Sequence, residues 1–122
     1  MKINRQIVYE KHDGHCAYCG CEITIKQMQV DHIRPKHNYH YGDMRKIPDY
    51  EPDDTRNLNP ACRFCNYKKD TFTLEEFRKE LSLQVTRARK TSYNFRMAER
   101  YGQIIINETP IRFYFEKEPS ND

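Results

Sequence analysis

Four of the five cysteines fall into two C-x-x-C pairs, Cys16/Cys19 and Cys62/Cys65, with 42 residues between them. A C-x-x-C turn folds the backbone back on itself so that two thiolates reach one ion. Two such turns complete the tetrahedral shell that Zn²⁺ prefers. The odd cysteine count argues against a disulfide framework. So does an N-terminus, Met1-Lys-Ile-Asn-Arg-Gln, without an apolar core or a small-residue cleavage site, which reads as lacking a secretory signal. A chain of 122 residues is one domain or less than two, and so small a core commonly needs a staple. The pairs therefore predict a structural zinc on Cys16, Cys19, Cys62 and Cys65, in a closed shell with no open position for water or substrate. Cys21 reads as a small packed residue, with ligation as its alternative. His12 and His15 are alternative ligands of a Cys₃His site. Arg63, Lys68 and Lys69 lie beside the second pair in sequence, where they would offset the charge of four thiolates.

Hydrophobic residues make up 37% and charged residues 32%, and the apolar run Ile104 to Ile106 is far too short to span a bilayer. A membrane partner is not expected. Nine Tyr and six Phe, with regular Ile, Leu and Val spacing, are enough for a small core. The net charge of +3 is uneven: residues 1–72 carry +2, residues 73–100 carry +3 and residues 101–122 carry −2. The basic excess is densest at Arg87, Arg89, Lys90, Arg96 and Arg100, which suits a phosphate backbone, although a solvated helix face accounts for such a run equally well.

The coarse elements follow from pattern. Asn4 to Lys11 reads as a short capped helix broken by Asp13-Gly14. Glu22 to Ile25 and Met28 to Ile33 read as a hairpin around Lys26-Gln27. Residues 36–56 form a polar loop, of a length that is usually functional. Asn66 opens a short helix. Thr73-Leu-Glu-Glu76 is a capping box, followed by an apolar stripe of Leu74, Phe77, Leu81, Val85 and Ala88. Ser92 caps a further helix through Tyr101, with Gly102 as its stop. Gln103 to Asn107 and Ile111 to Glu116 read as two strands around Glu108-Thr-Pro110, and the end from Lys117 reads as frayed.

The stretch between the knuckles carries the chemistry. Cys16-x-x-Cys19, Val30-Asp-His-Ile-Arg-Pro35, Asn57-Leu58 and Cys62-x-x-Cys-Asn66-x-x-Lys69, in this order, resemble the HNH family of nucleases, the ββα-metal or His-Me finger fold. The resemblance runs from about residue 4 to residue 72. It implies an α+β fold: a small, zinc-stapled, treble-clef-like ββα-metal core over 1–72. Residues 73–122 would add a helical and β-hairpin extension packed on the same core. It also implies a metal-dependent endonuclease acting on DNA, with His32 as general base and Asn57 positioning the loop and the His32 ring. Asp31 and Asn66 would hold a catalytic divalent ion such as Mg²⁺, while a bacterial or phage source would place the protein in the cytoplasm.

The residue chemistry is consistent on its own terms. An imidazole takes a proton near neutral pH, and a hard ion suits carboxylate and amide oxygens. Adjacent strand residues point to opposite sides, so Asp31 and His32 share a target only where the strand ends, and Pro35 suggests that it does.

Lys68, Lys69, Arg87, Arg89 and Lys90 are the expected nucleic-acid contacts, with Lys69 alternatively on the zinc thiolates. One site cuts one strand, so a double-strand break needs a homodimer or two encounters. The His32-to-Asn57 gap of 25 residues is longer than in compact members. Tyr39, Tyr41, Arg45, Lys46 and the acidic run Asp49 to Asp54 match no pattern, and His37 and His40 read as loop residues. A non-catalytic zinc-finger DNA-binding module and an RNA-directed nuclease are the competing readings.

Overall fold

The structure is a computed structural model that describes residues 2–36 and 50–117. The expected first helix is α1, Arg5–Glu10. The Asn4 side chain accepts from the backbone N–H groups of Gln6 and Ile7, satisfying donors that a helix start leaves free. Val8 is its buried residue, and Asp13 (φ 53°) and Gly14 (φ 77°) turn the chain out of the helix. The first knuckle then closes on itself, Cys16 N–H donating to Cys21 O at 2.8 Å and Gly20 N–H to Cys16 O at 2.9 Å. Gly20 has φ +82°, and a Cβ there would lie 2.6 Å from Cδ1 of Tyr114, so both conformation and space demand glycine.

The expected hairpin of residues 22–33 does not form. Glu22 makes only an isolated bridge to His15, and residues 24–28 close a turn through Met28 N–H to Thr24 O at 3.0 Å. Instead β1, Gln29–His32, pairs antiparallel with β2, Leu58–Ala61, in the register Gln29↔Ala61 to His32↔Leu58. β2 leads directly into the second knuckle, so its register is set where the two cysteine pairs meet. The Ala17 N–H bond to Pro60 O, at 2.8 Å, ties the first knuckle to the same strand. Helix α2, Arg63–Lys69, starts before the expected Asn66, because Cys62 is its cap and the Cys62 sulfur accepts from Cys65 N–H at 3.4 Å. These two strands and α2 form the ββα unit of a small α+β fold.

Helix α3, Leu74–Ser82, opens with the predicted capping box, both of its bonds made. The apolar stripe behind it is not one helix: the chain turns at Leu83 into α4, Gln84–Thr91, which buries no residue. Leu74, Phe77 and Leu81 join the core, whereas Val85 and Ala88 are half-buried. Helix α5, Tyr93–Arg100, is capped by Ser92, and Gly102 (φ 74°) follows it. The expected C-terminal strand pair is absent: no strand occurs among described residues 103–117. This segment instead docks on the first knuckle, with Tyr114 N–H on Tyr18 O at 3.0 Å and Phe115 N–H on Ala17 O at 2.9 Å. Phe113 stacks on Phe77 (centroids 5.4 Å apart) and meets Tyr18 edge-on (5.3 Å). This aromatic cluster surrounds Cys16 and Cys65, and a second core of Val8, Ile23, Met28 and Leu58 lies under α1. Among the described residues, no helix is long and apolar enough to cross a membrane.

Candidate active site and metal centre

The knuckles bring Cys16, Cys19, Cys62 and Cys65 together, all four sulfurs lying within 4.8 Å of one another. A tetrahedron with Zn–S bonds of about 2.3 Å has edges of ~3.8 Å, and the Cys19 and Cys62 sulfurs are 3.8 Å apart. The donor set and spacing fit zinc. Its electrostatics also call for a cation. The Cys65 hydrogen bond holds the Cys16 thiol down to about 4, and the same bond, with burial, pushes Cys65 up. Four crowded sulfurs cannot all ionise without an ion between them. Cys21 is exposed rather than packed, and lies outside this group of four. The alternative ligands lie elsewhere: His12 faces Asn59 at 3.3 Å, and the His15 ring stacks on Tyr114.

Asp31 and His32 diverge, as neighbours on a strand must. Asp31 is 4% exposed and points inward, where Lys69 Nζ lies 3.2 Å from Oδ1 and 3.0 Å from Oδ2, and the Tyr18 hydroxyl donates to Oδ2. Lys69 Nζ also donates to His32 O at 2.9 Å, fixing the end of β1. Burial raises the Asp31 carboxyl above its ordinary range, against the pull of Lys69 and the Tyr18 bond. Burial also raises the Tyr18 hydroxyl, with the Asp31 charge adding to it. Lys69, expected to meet nucleic acid or zinc thiolates, has no exposed surface, so its ammonium is spent on Asp31 and His32 instead.

The His32 ring is held by a residue that sequence reasoning did not single out. Its Nε2 lies 2.7 Å from Asp53 Oδ1, and Lys36 Nζ is 3.4 Å from the same oxygen. The His32 bond, ahead of Lys36, holds the Asp53 carboxyl below the usual carboxylate range. Asn57 was expected to position the loop and the His32 ring through hydrogen bonds; its bonds are with the loop. Its amide donates to Arg34 O at 3.0 Å and Pro52 O at 2.9 Å, and accepts from Arg34 N–H at 2.9 Å. Asn57 is therefore a buried clamp between Arg34 and Pro52, and Pro52 is the residue next to Asp53 in the chain. Tyr18 is the second residue missed, because a tyrosine inside C-x-x-C reads as knuckle filler.

Asp31, His32 and Asn66 line one cleft of about 260 Å³, together with Val30, Pro35, Lys36, Asp70 and Thr71. A carboxylate and an amide oxygen there suit a hard divalent ion. A carboxylate has about four lone-pair sites, so Asp31 retains acceptor capacity beside Tyr18 and Lys69.

The expected phosphate contacts are partly neutralised by acids. Lys68 pairs with Glu80 at 3.3 Å, Arg87 pairs with the same carboxylate, and Arg89 Nε donates to Glu99 at 3.0 Å. Lys90 is exposed. His37, His40, Tyr39, Tyr41, Arg45, Lys46 and Asp49 lie outside the described residues.

Comparison with known proteins gives two findings and one blank. Residues 16–72 match the HNH endonuclease family. Among solved structures, the fold is similar to the Type II-C Cas9 enzyme from Actinomyces naeslundii, with a TM-score of 0.48 and 20% identity. That likeness covers 79% of this chain and 11% of the Cas9 chain, so the chain spans about a tenth of that enzyme. No curated protein matches.

Proposed function

We propose that this chain, whose residues 16–72 match the HNH endonuclease family, hydrolyses DNA phosphodiester bonds at the cleft between β1 and α2. The single observation that carries this reading is the meeting of Asp31, His32 and Asn66 on one small cleft, from segments that the cysteine pairs bring together.

His32 is the general base. Asp53 holds its Nε2 and keeps the ring in one orientation and one tautomer, leaving Nδ1 as the nitrogen that accepts a proton from water. The activated water attacks phosphorus, the bond to the 3′ oxygen breaks, and the products are a 5′ phosphate and a 3′ hydroxyl. Asn57 acts at one remove, pinning Arg34 and Pro52 so that Asp53 stays opposite the ring. Asp31 and Asn66 would hold a divalent ion such as Mg²⁺. When bound, that ion supplies positive charge to the phosphate and to the leaving oxygen. Lys69 and Tyr18 fix the Asp31 carboxylate in place. A zinc ion on the four cysteines would be structural, because four thiolates would leave it no open position.

The test is incubation of the purified chain with supercoiled plasmid and Mg²⁺ or Mn²⁺. Nicking by the wild type that is lost in His32→Ala supports the reading. An inert wild type, or undiminished cleavage by His32→Ala, overturns it.

A further inference from the structure

Phe64 and Tyr67 are 83% and 85% exposed, although both sit on α2, the helix that also carries Asn66 and Cys65 and is capped by Cys62. Large apolar side chains standing almost clear of the protein on a short, well-anchored helix have no packing role there. At i and i+3 they share one side of the helix.

Their surroundings connect them to the cleft. Asn66, Asp70 and Thr71 border both the His32 cleft and an adjoining hollow of about 570 Å³ that also contains Tyr67 and Lys68. Tyr67 and Lys68 in turn border a third hollow, of about 730 Å³, which contains Arg63, Phe64, Leu81 and Gln84. A continuous surface track therefore leads from His32 and Asn66, over Tyr67, to Phe64. Arg63 flanks the aromatic end with positive charge, the sign that a phosphate backbone requires, while Lys68 is paired with Glu80 at 3.3 Å on the wall of the middle hollow. Positive charge beside exposed rings is the chemistry of a single-strand track: the cation follows the backbone, and each ring offers a face to a base.

We propose that Phe64 and Tyr67 form a stacking platform for two unpaired bases beside the scissile phosphate, so that the preferred substrate is a strand that is single or opened at the cut. This rests on the nuclease reading for the identity of the cleft, and it goes further by naming the form of the substrate. A base inside a duplex is already stacked on its neighbours and has no free face to offer, whereas an unpaired base gains one here.

The test measures binding in a full-length His32→Ala background, so that cleavage does not intervene, with zinc content and circular dichroism checked for every variant. The probes are matched oligodeoxynucleotides carrying 2-aminopurine, as single strand, as duplex and as duplex with a central bubble. The expected result is tighter binding of single strand and bubble than of duplex, with quenched 2-aminopurine fluorescence. Phe64→Ala and Tyr67→Ala each weaken that binding by about 5- to 100-fold and relieve the quenching, while Phe64→Tyr and Tyr67→Phe retain both. Equal affinity for all three probes, or alanine variants that bind and quench like their parent, overturns the proposal. So does a two-protomer species in sedimentation that the same alanine substitutions dissolve, since a second copy would then be what covers these rings. A ribo-oligonucleotide bound more tightly through the same two rings supports the platform and overturns DNA as the substrate. Failure here is separable from failure of the nuclease reading. Plasmid nicking by a wild type whose alanine variants bind normally removes only the platform; ring-dependent binding by an inert wild type removes only the nuclease.

Discussion

An ammonium with no exposed surface survives only where it is paired, and Lys69 is paired with an equally buried Asp31. Removing the cation while keeping its bulk strands a carboxylate in the interior. Lys69→Met is expected to destabilise the chain by about 3–5 kcal/mol, measured as a shift in urea unfolding of the zinc-loaded protein; unchanged stability would contradict the pairing. Asp53 is the complementary case, accessible to solvent and bonded to the His32 ring. Asp53→Asn is expected to lower kcat by ~10- to 100-fold with KM little changed. A kcat equal to wild type in plasmid nicking would show that Asp53 does not orient the base. At this scale, the resemblance to the nuclease motif pointed to Asp31, His32 and Asn66, and the structure places all three on one cleft. The sequence hid Asp53, because Glu51, Asp53 and Asp54 look alike in an acidic run. Asp54 turns out to cap the turn at Thr55–Asn57, and only the Asn57 clamp selects Asp53 for His32. Lys69 was misread because a lysine near a phosphate site looks like a phosphate ligand, and burial is not written in sequence.

At the level of elements, local signals were legible and long-range pairings were not. Asn4, Thr73 and Ser92 mark their helices because a cap acts within one turn. The strand at Gln29–His32 was found, but its partner was placed seven residues upstream rather than at Leu58–Ala61, since alternation fixes a face and not a neighbour. The C-terminal residues alternate like strands, yet they spend their hydrogen bonds on Ala17 and Tyr18 of the knuckle. What anchors this segment to α3 is Arg78, which donates to Ile111 O at 2.8 Å and pairs with Glu116 through Nη2 at 2.5 Å. The Arg78 bond lowers the Glu116 carboxyl below its ordinary value. A depressed folded value means that the contribution is complete above the unfolded glutamate value of about 4.3 and is lost as pH falls through the folded value. Glu116→Gln is therefore expected to lower stability at neutral pH and to narrow its difference from wild type below pH ~4. Thermal unfolding across pH 3–7 measures this, and a difference independent of pH would contradict it.

For the molecule as a whole, the cysteine pairs organise the rest. They join segments 42 residues apart, the aromatic cluster closes around them, and β1 pairs with β2 where they meet. Without an ion the four crowded sulfurs could not all stay ionised, so metal binding and folding would be coupled. Treatment with a strong chelator is expected to abolish the cooperative unfolding transition and the nicking activity together. A circular dichroism melt that survives verified zinc loss would contradict a structural role. The central claim is that this one clamp makes a carboxylate, an imidazole and an amide neighbours of a single ion. Anomalous diffraction from crystals soaked in Mn²⁺ tests it most directly. The account predicts a zinc peak among Cys16, Cys19, Cys62 and Cys65, and a manganese peak bonded to Asp31 and Asn66 on the His32 cleft. A fully occupied manganese peak elsewhere, with Asp31 and Asn66 bare, would contradict it.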